Sequence, residues 1–264
     1  AILNSWGGLR SWQSYMVAHA LWYKQTYSYF GILESLSGAA VDVVFMSFDD
    51  IRNNGIPEDI DVIINAGDAG TAFSGGEEWL DEKLITTVRR WIHEGGGFVG
   101  VGDPSAVHRG GRFFQLADVL GVDKELGFTL STDKYFKDAL DTHFITEDRT
   151  GCFDFGESRH DIYALSASTE IIEYSDNEVH LAANAYGRGR GVYIAGLPYS
   201  YENTRLLMRA LYFAAHKEES FLRWYADNVN CEVNAYPESG KYAILNNSNE
   251  EQTTNFYDGE GTCE

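Results

Sequence analysis

The stretch Trp91-Ile92-His93-Glu94-Gly95-Gly96-Gly97-Phe98-Val99-Gly100-Val101-Gly102 decides the fold class, because it closes a helix, stops it with glycine and enters an apolar strand. Leu84, Val88 and Trp91-Ile92 fall on one stripe of a helix predicted from about Asp81 to His93. The glycine triplet precedes its strand. Dinucleotide sites place their glycines after a strand and at the mouth of a helix, so the triplet reads as a helix stop and not as a phosphate cradle. Two earlier runs, Val41-Asp42-Val43-Val44-Phe45-Met46-Ser47 and Ile60-Asp61-Val62-Ile63-Ile64-Asn65-Ala66-Gly67, are β-branched and nearly continuously apolar, as strands covered on both faces are. Between them Ser47-Phe48-Asp49-Asp50-Ile51 reads as a short connector. Further upstream, Tyr15, Ala18, Leu21, Trp22, Gln25, Tyr29, Ile32 and Leu36 recur at helical spacing and predict a long helix ending near Gly38. Strands alternating with helices predict an α/β domain around an open, mostly parallel, doubly wound sheet with right-handed crossovers.

Downstream the pattern loosens. One helix is expected over residues 113–120, and residues 123–155 read as an insertion without sustained periodicity. Ile171-Ile172-Glu173-Tyr174, Val179-His180-Leu181-Ala182-Ala183 and Val192-Tyr193-Ile194-Ala195 read as strands that finish the sheet in antiparallel pairs. The segment Gly187-Arg188-Gly189-Arg190-Gly191 reads as a flexible connection, with anion binding by its two arginines as the competing reading. Leu206, Leu207, Ala210, Leu211, Phe213 and Ala214 give a closing helix. After Trp224 come Glu232-Val233-Asn234-Ala235-Tyr236, Tyr242-Ala243-Ile244-Leu245 and Thr253-Thr254-Asn255-Phe256-Tyr257, short strands between polar turns. The domain reading is therefore residues 1–222 as the α/β domain and residues 223–264 as the start of a β domain.

Forty acidic against twenty basic residues give a formal charge of −20, which disfavours nucleic acid and anionic lipid as partners. The longest apolar runs are too short to span a bilayer. Cys152, Cys231 and Cys263 lie far apart and fit neither a disulfide framework nor closely spaced zinc ligands, so a reducing cytoplasm is the expected location. His143 and His160 lack metal-ligand spacing, no metal is expected, and His19 reads as a structural histidine.

Loops at the carboxyl ends of parallel strands face the crevice where ligands bind. That rule selects Asp68, in Gly67-Asp68-Ala69-Gly70, and Asp103, Ser105, His108, Arg109 and Arg112 in residues 102–112, as ligand-binding or domain-contact candidates. Ser105 and His108 do not amount to a hydrolase, because Gly-x-Ser-x-Gly is absent and closeness in a loop fixes no geometry. Nominating two of forty carboxylates as a glycosidase pair carries no information, since most are solvated surface charge.

The opening Ile2-Leu3-Asn4-Ser5-Trp6-Gly7-Gly8-Leu9-Arg10-Ser11-Trp12-Gln13, followed by Met16-Val17-Ala18-His19-Ala20-Leu21-Trp22-Tyr23-Lys24, reads as a piece of something larger. It resembles the junction at which the catalytic barrel of the 1,3-beta-galactosyl-N-acetylhexosamine phosphorylase (galacto-N-biose/lacto-N-biose phosphorylase) family passes into its central α/β domain. The resemblance continues through residues 95–102, Tyr193-Ile194-Ala195-Gly196-Leu197-Pro198-Tyr199-Ser200 and Tyr242-Ala243-Ile244-Leu245-Asn246-Asn247. It implies a glutamine-amidotransferase-like domain and the start of a C-terminal β domain in a bacterial, cytoplasmic enzyme. That enzyme cleaves β-1,3-galactosyl-N-acetylhexosamines with inorganic phosphate to give α-galactose 1-phosphate with inversion. It also implies that the general acid and sugar-binding residues lie in the preceding barrel, so that no catalytic residue falls in this sequence. No cofactor is expected beyond phosphate as co-substrate. Partners implied are the barrel and the remaining β domain of the parent chain, together with a second copy in a homo-oligomer. Trp6 and Trp12 flank the turn where barrel and α/β domain would meet and are assigned to that seam. In amidotransferase-like folds the turn after the central strand carries a cysteine nucleophile; here Gly102-Asp103 stands in its place. Two other readings fit the same residues: an oligomerisation module of a beta-galactosidase-like enzyme, and a stand-alone amidotransferase-like binding protein that lacks its nucleophile.

Overall fold

In the computed structural model, which describes residues 1–4, 27–108, 111–126, 138–157, 161–175 and 178–263, seven strands form the main sheet. The strands are β1 (Ile2–Asn4), β2 (Phe45–Ser47), β3 (Val62–Gly67) and β4 (Gly97–Gly102), then β5 (Val122–Lys124) and β6 (Ile162–Ala164), which pair with each other outside the sheet. β7 (Glu170–Ser175), β8 (Glu178–Tyr186) and β9 (Gly189–Ile194) complete it. Their spatial order is β2-β1-β3-β4-β9-β8-β7. Pairings from β2 to β9 are parallel, and β8 and β7 close the sheet antiparallel. The helices are α1 (Tyr27–Ser37), α2 (Phe48–Asn54), α3 (Glu82–His93), α4 (Ala117–Leu120), α5 (Tyr201–Ala214) and α6 (Glu218–Phe221).

Successive side chains of a strand point to opposite faces, and both faces of this sheet are buried. Leu3, Ile63, Phe98 and Tyr193 join a core with Phe48 and Ile51 of α2, Leu84, Val88 and Ile92 of α3, and Val119 and Leu120 of α4. Their neighbours Ile2, Ile64, Val99 and Ile194 join a second core with Ile32 and Leu36 of α1 and Leu206, Leu207 and Ala210 of α5. This is the doubly wound α/β arrangement expected from the alternating pattern.

Several local expectations are corrected. The sheet contains β1, a short strand between β2 and β3. Only Phe45–Ser47 of the run at 41–47 is strand, at the edge of the sheet, with Phe45 59% exposed. The stretch from Ser47 is a helix and not a connector. Ser47 Oγ accepts from Asp50 N while Asp50 Oδ2 accepts from Ser47 N, a capping box that nucleates α2. The helix expected over 113–120 shrinks to α4, because Phe113, Phe114 and Leu116 enter the core from an irregular segment held by Val107 N–H on Phe113 O and Gln115 N–H on Ser105 O.

A further correction concerns 187–191, which is a tight turn and the start of a strand and not a flexible connection. Gly187 has φ 61° and turns with Arg188 from β8 into β9. Gly189 and Gly191 lie within β9, where a Cβ would run into the carbonyl oxygens of Ile92 and Val119 at the ends of α3 and α4. Arg190 Nη1 donates to Phe213 O at 2.7 Å and pairs with Glu218, so its charge is already committed.

After α6, β10 (Tyr225–Ala226) pairs antiparallel with β13 (Phe256–Tyr257), and β11 (Cys231–Tyr236) with β12 (Lys241–Asn246). Of the strand expected from Thr253, only Phe256–Tyr257 forms, and its partner is β10. Trp6, Trp12, His19, Arg109 and His160 lie outside the described residues.

Because the glycines of β9 are steric requirements, Gly191→Ala should destabilise by about 3 kcal/mol, whereas Arg188→Ala on the exposed turn should change stability by no more than about 0.5 kcal/mol. Chemical denaturation of the two variants tests this, and tolerance of Gly191→Ala would contradict the packing described.

Candidate functional site

β3 and β4 end in register, Gly67 opposite Gly102, with positive φ at both glycines. The two loops that follow are tied together where an open crevice was expected. Asp103 N–H continues the ladder to Gly67 O (3.0 Å), and Asp103 Oδ2 accepts from Ala69 N–H (3.2 Å). Lys124 Nζ approaches Asp103 Oδ1 at 3.9 Å. Asn65, fully buried in β3, accepts from Ser105 N–H at 2.7 Å and donates to Ser74 O at 3.0 Å. Its amide thus supplies both loops with the partner that irregular backbone lacks. The Asp68 carbonyl accepts the hydroxyls of Thr71 and Ser74, each at 2.7 Å.

Ser105 has φ 51°, a strained value for a residue with a Cβ, close to where the related architecture seats its nucleophile. Its hydroxyl is fully buried, however, and accepts Leu116 N–H at 3.1 Å. His108 is exposed and lies against Phe113, with ring centroids 5.6 Å apart. With Ser105 held on Leu116 and His108 on Phe113, the two do not form a nucleophile and base. Arg112 is exposed and reaches Asp123 at 3.5 Å. Burial pushes the Asp123 carboxyl up, in spite of the N–H groups of Phe114 and Lys124 that it accepts. The structure therefore brings Asp68, Asp103 and Ser105 together as a structural clasp and leaves His108 and Arg112 on the surface beside it.

A second cluster was not read from the sequence. Arg209, 2% exposed in α5, places Nε 2.5 Å from Asp148 Oδ1 and donates from Nη1 to Phe144 O at 2.6 Å, with its guanidinium 4.7 and 4.8 Å from the ring centroids of Phe144 and Phe221. One turn earlier, Arg205 donates to Asp148 Oδ2 at 2.7 Å and to Ala226 O at 2.8 Å. The Tyr225 hydroxyl also donates to Asp148 Oδ2, at 2.5 Å. Burial alone would raise the Asp148 carboxyl, but the Tyr225 hydroxyl and the two guanidinium charges outweigh it and hold the group below the usual range. Burial, opposed by Arg205 and reinforced by Asp148, pushes the Tyr225 phenol up to about 12. Asp148 thus joins three parts of the chain: the segment after β5, α5 and the β module. The available signal was the pair Arg205 and Arg209, four residues apart on the helix that carries the apolar stripe.

Beside this cluster, along α5, runs a cleft of about 510 Å³ between α1 and the β module. Among the described residues no group of three or more His, Cys, Asp or Glu side chains is placed to hold a metal, and no helix is long and apolar enough to cross a membrane.

Removing Asp148 leaves a buried cation without its partner, so Asp148→Ala should cost about 3 kcal/mol or more in a denaturation experiment. Because the folded-state pKa is lowered, the ionic stabilisation is present above the ordinary value of 3.8 and is lost as pH falls through the lower folded value. The stability gap between wild type and Asp148→Asn should accordingly shrink below pH 3.8, and a gap independent of pH would contradict the ionic account. Ser105→Ala strands a buried amide and should cost about 1–3 kcal/mol. An unchanged unfolding midpoint would show that the hydroxyl is not structural.

The sequence matches the lacto-N-biose phosphorylase central domain over residues 1–219 and the lacto-N-biose phosphorylase C-terminal domain over residues 224–264. A 1,3-beta-galactosyl-N-acetylhexosamine phosphorylase of Lachnoclostridium phytofermentans is 52% identical over 261 residues, covering 98% of this chain and 36% of the relative. Its counterpart in Bifidobacterium longum subsp. longum is 48% identical over 296 residues, covering 100% and 39%. The D-galactosyl-beta-1->4-L-rhamnose phosphorylase of Lachnoclostridium phytofermentans is 35% identical over 256 residues, covering 94% and 33%. The chain spans 33–39% of the length of these relatives. Among solved structures, the beta-galactosidase from Bacillus circulans sp. alkalophilus aligns with 76% of this chain and 28% of its own, with a TM-score of 0.45 and 16% identity.

Proposed function

The chain belongs to the lacto-N-biose phosphorylase family, and from that premise we propose that it is the central and partial C-terminal region of an inverting phosphorylase. The parent enzyme cleaves β-1,3-galactosyl-N-acetylhexosamines with inorganic phosphate and releases α-galactose 1-phosphate. This region positions and supports, while the groups that break the bond lie elsewhere in the parent chain. The substrate follows the relatives at 48–52% identity, in preference to the galactosyl-rhamnose enzyme at 35%.

One observation carries the non-catalytic role. Inverting phosphorolysis needs an acid that protonates the leaving oxygen and an open position opposite it for phosphate, which takes the place of the water of an inverting hydrolase. At the sheet edge where such a site would open, Asp103 and Ser105 are buried and committed to loop backbone. With the Asp103 carboxylate on Ala69 N–H and the Ser105 hydroxyl on Leu116 N–H, these two groups have the chemistry of a scaffold. His108 and Arg112, on the surface beside it, supply donors where a neighbouring domain of the parent would meet this one.

The parent is read as bacterial and cytoplasmic, dependent on phosphate as co-substrate and on no other cofactor, and homo-oligomeric. The decisive assay supplies lacto-N-biose and phosphate to the complete protein and, separately, to this chain alone. Galactose 1-phosphate should form with the complete protein only. Its release by the isolated chain at a comparable rate would move the catalytic acid into these residues and end the scaffold reading.

A further inference from the structure

The cleft along α5 has the composition of a binding site. Its volume of about 510 Å³ lies in the range of small-molecule pockets, about 300–1,000 Å³. Tyr199, Tyr201 and Trp224 line it together with the carboxylates of Glu34 and Glu232 and the amide of Asn247. Tyr199 is 49% exposed and offers a ring to the cleft from the loop that enters α5. Asn247 Nδ2 donates to Glu232 Oε2 at 3.2 Å, and the Tyr201 hydroxyl donates to the Asn247 carbonyl, so this wall is ordered before any ligand arrives. A side chain at Gly38 would press on Glu232 Oε2 at 3.2 Å, and glycine there leaves the carboxylate room. Burial raises Glu232, and burial with the nearby Tyr201 hydroxyl, Glu34 and Glu232 raises Tyr199, so the wall gathers acidic groups around one aromatic ring.

This chemistry selects among ligands. Anions are repelled by two carboxylates in a chain of formal charge −20, and the Arg205 charge is consumed by Asp148 and the carbonyls of Ala226 and Asn228. Arg223 is the exposed cation on the lining. Purely apolar ligands would take water from the Glu34 and Glu232 carboxylates and offer them no donor in its place. A pyranose ring satisfies both demands: its C–H face covers an aromatic ring, and its hydroxyls donate to ionised carboxylates in short, charge-assisted hydrogen bonds. We propose that this cleft binds a neutral saccharide, with one sugar ring against Tyr199 and its hydroxyls donating to Glu34 and Glu232.

The proposal stands on the cleft and is independent of phosphorylase activity, which the turnover assay tests separately. Isothermal titration of the 264-residue chain with lacto-N-biose, and in a second experiment with inorganic phosphate, decides it. Saturable binding of the disaccharide is expected, weakened about tenfold or more in Tyr199→Ala and in Glu232→Gln, with no binding of phosphate. Glu34→Gln, an exposed change on α1, carries the same expectation should either of the others fail to fold. Three results overturn the proposal: no saturable binding of the disaccharide by the folded chain, binding left intact by the substitutions, or binding of phosphate in its place.

Discussion

A guanidinium that is 2% exposed must be neutralised where it stands, and the pairing of Arg209 with Asp148 meets that requirement. Burying an ion costs several kcal/mol unless its partner and hydrogen bonds are in place, so the position of Asp148 is fixed once α5 packs on the sheet. The chain from 144 to 150 is thereby drawn over the helix, with Phe144 O on Arg209 and Ile145 in the core. The second carboxylate oxygen of Asp148 is shared by Arg205 and Tyr225, which seats β10 and with it the β module against α5. Arg205 and Tyr225, which this carboxylate holds, also line the adjoining cleft.

The loops after β3 and β4 and the cleft beside α5 differ in what their polar groups face. At the carboxyl ends of β3 and β4, Asn65, Asp103 and Ser105 spend hydrogen bonds on loop backbone, and the two loops that follow are tied to each other. Along α5 the aromatic and carboxylate groups instead face a cavity.

How much of this was legible in the sequence depends on how local each cause is. The end of α3 and the start of β4 were readable because the glycine stop and the apolar stripe lie within one short stretch. α2 was readable in principle, since Ser47 and Asp50 have the spacing of a capping box, but its few residues looked too short for anything beyond a connector. β1 has too few residues for a period to show. Gly189 and Gly191 resemble loop glycines until α3 and α4 are seen above them, and that contact is tertiary. Asp148 stands 57 residues from Arg205 and 77 from Tyr225, so no pattern along the chain marks it among forty acidic residues. Asp103 and Ser105 were rightly placed after a central strand, but whether such groups face a crevice or the backbone is decided by Asn65 on the neighbouring strand.

The central claim is that these residues support phosphorolysis without performing it. A structure of the complete protein with disaccharide and phosphate bound is the most direct measurement. The account predicts that the carboxylic acid in hydrogen-bonding reach of the scissile glycosidic oxygen comes from outside these 264 residues, with Asp103 still on Ala69 and Ser105 still on Leu116. A carboxyl group of this chain on that oxygen, or the clasp opened to receive phosphate, would contradict it.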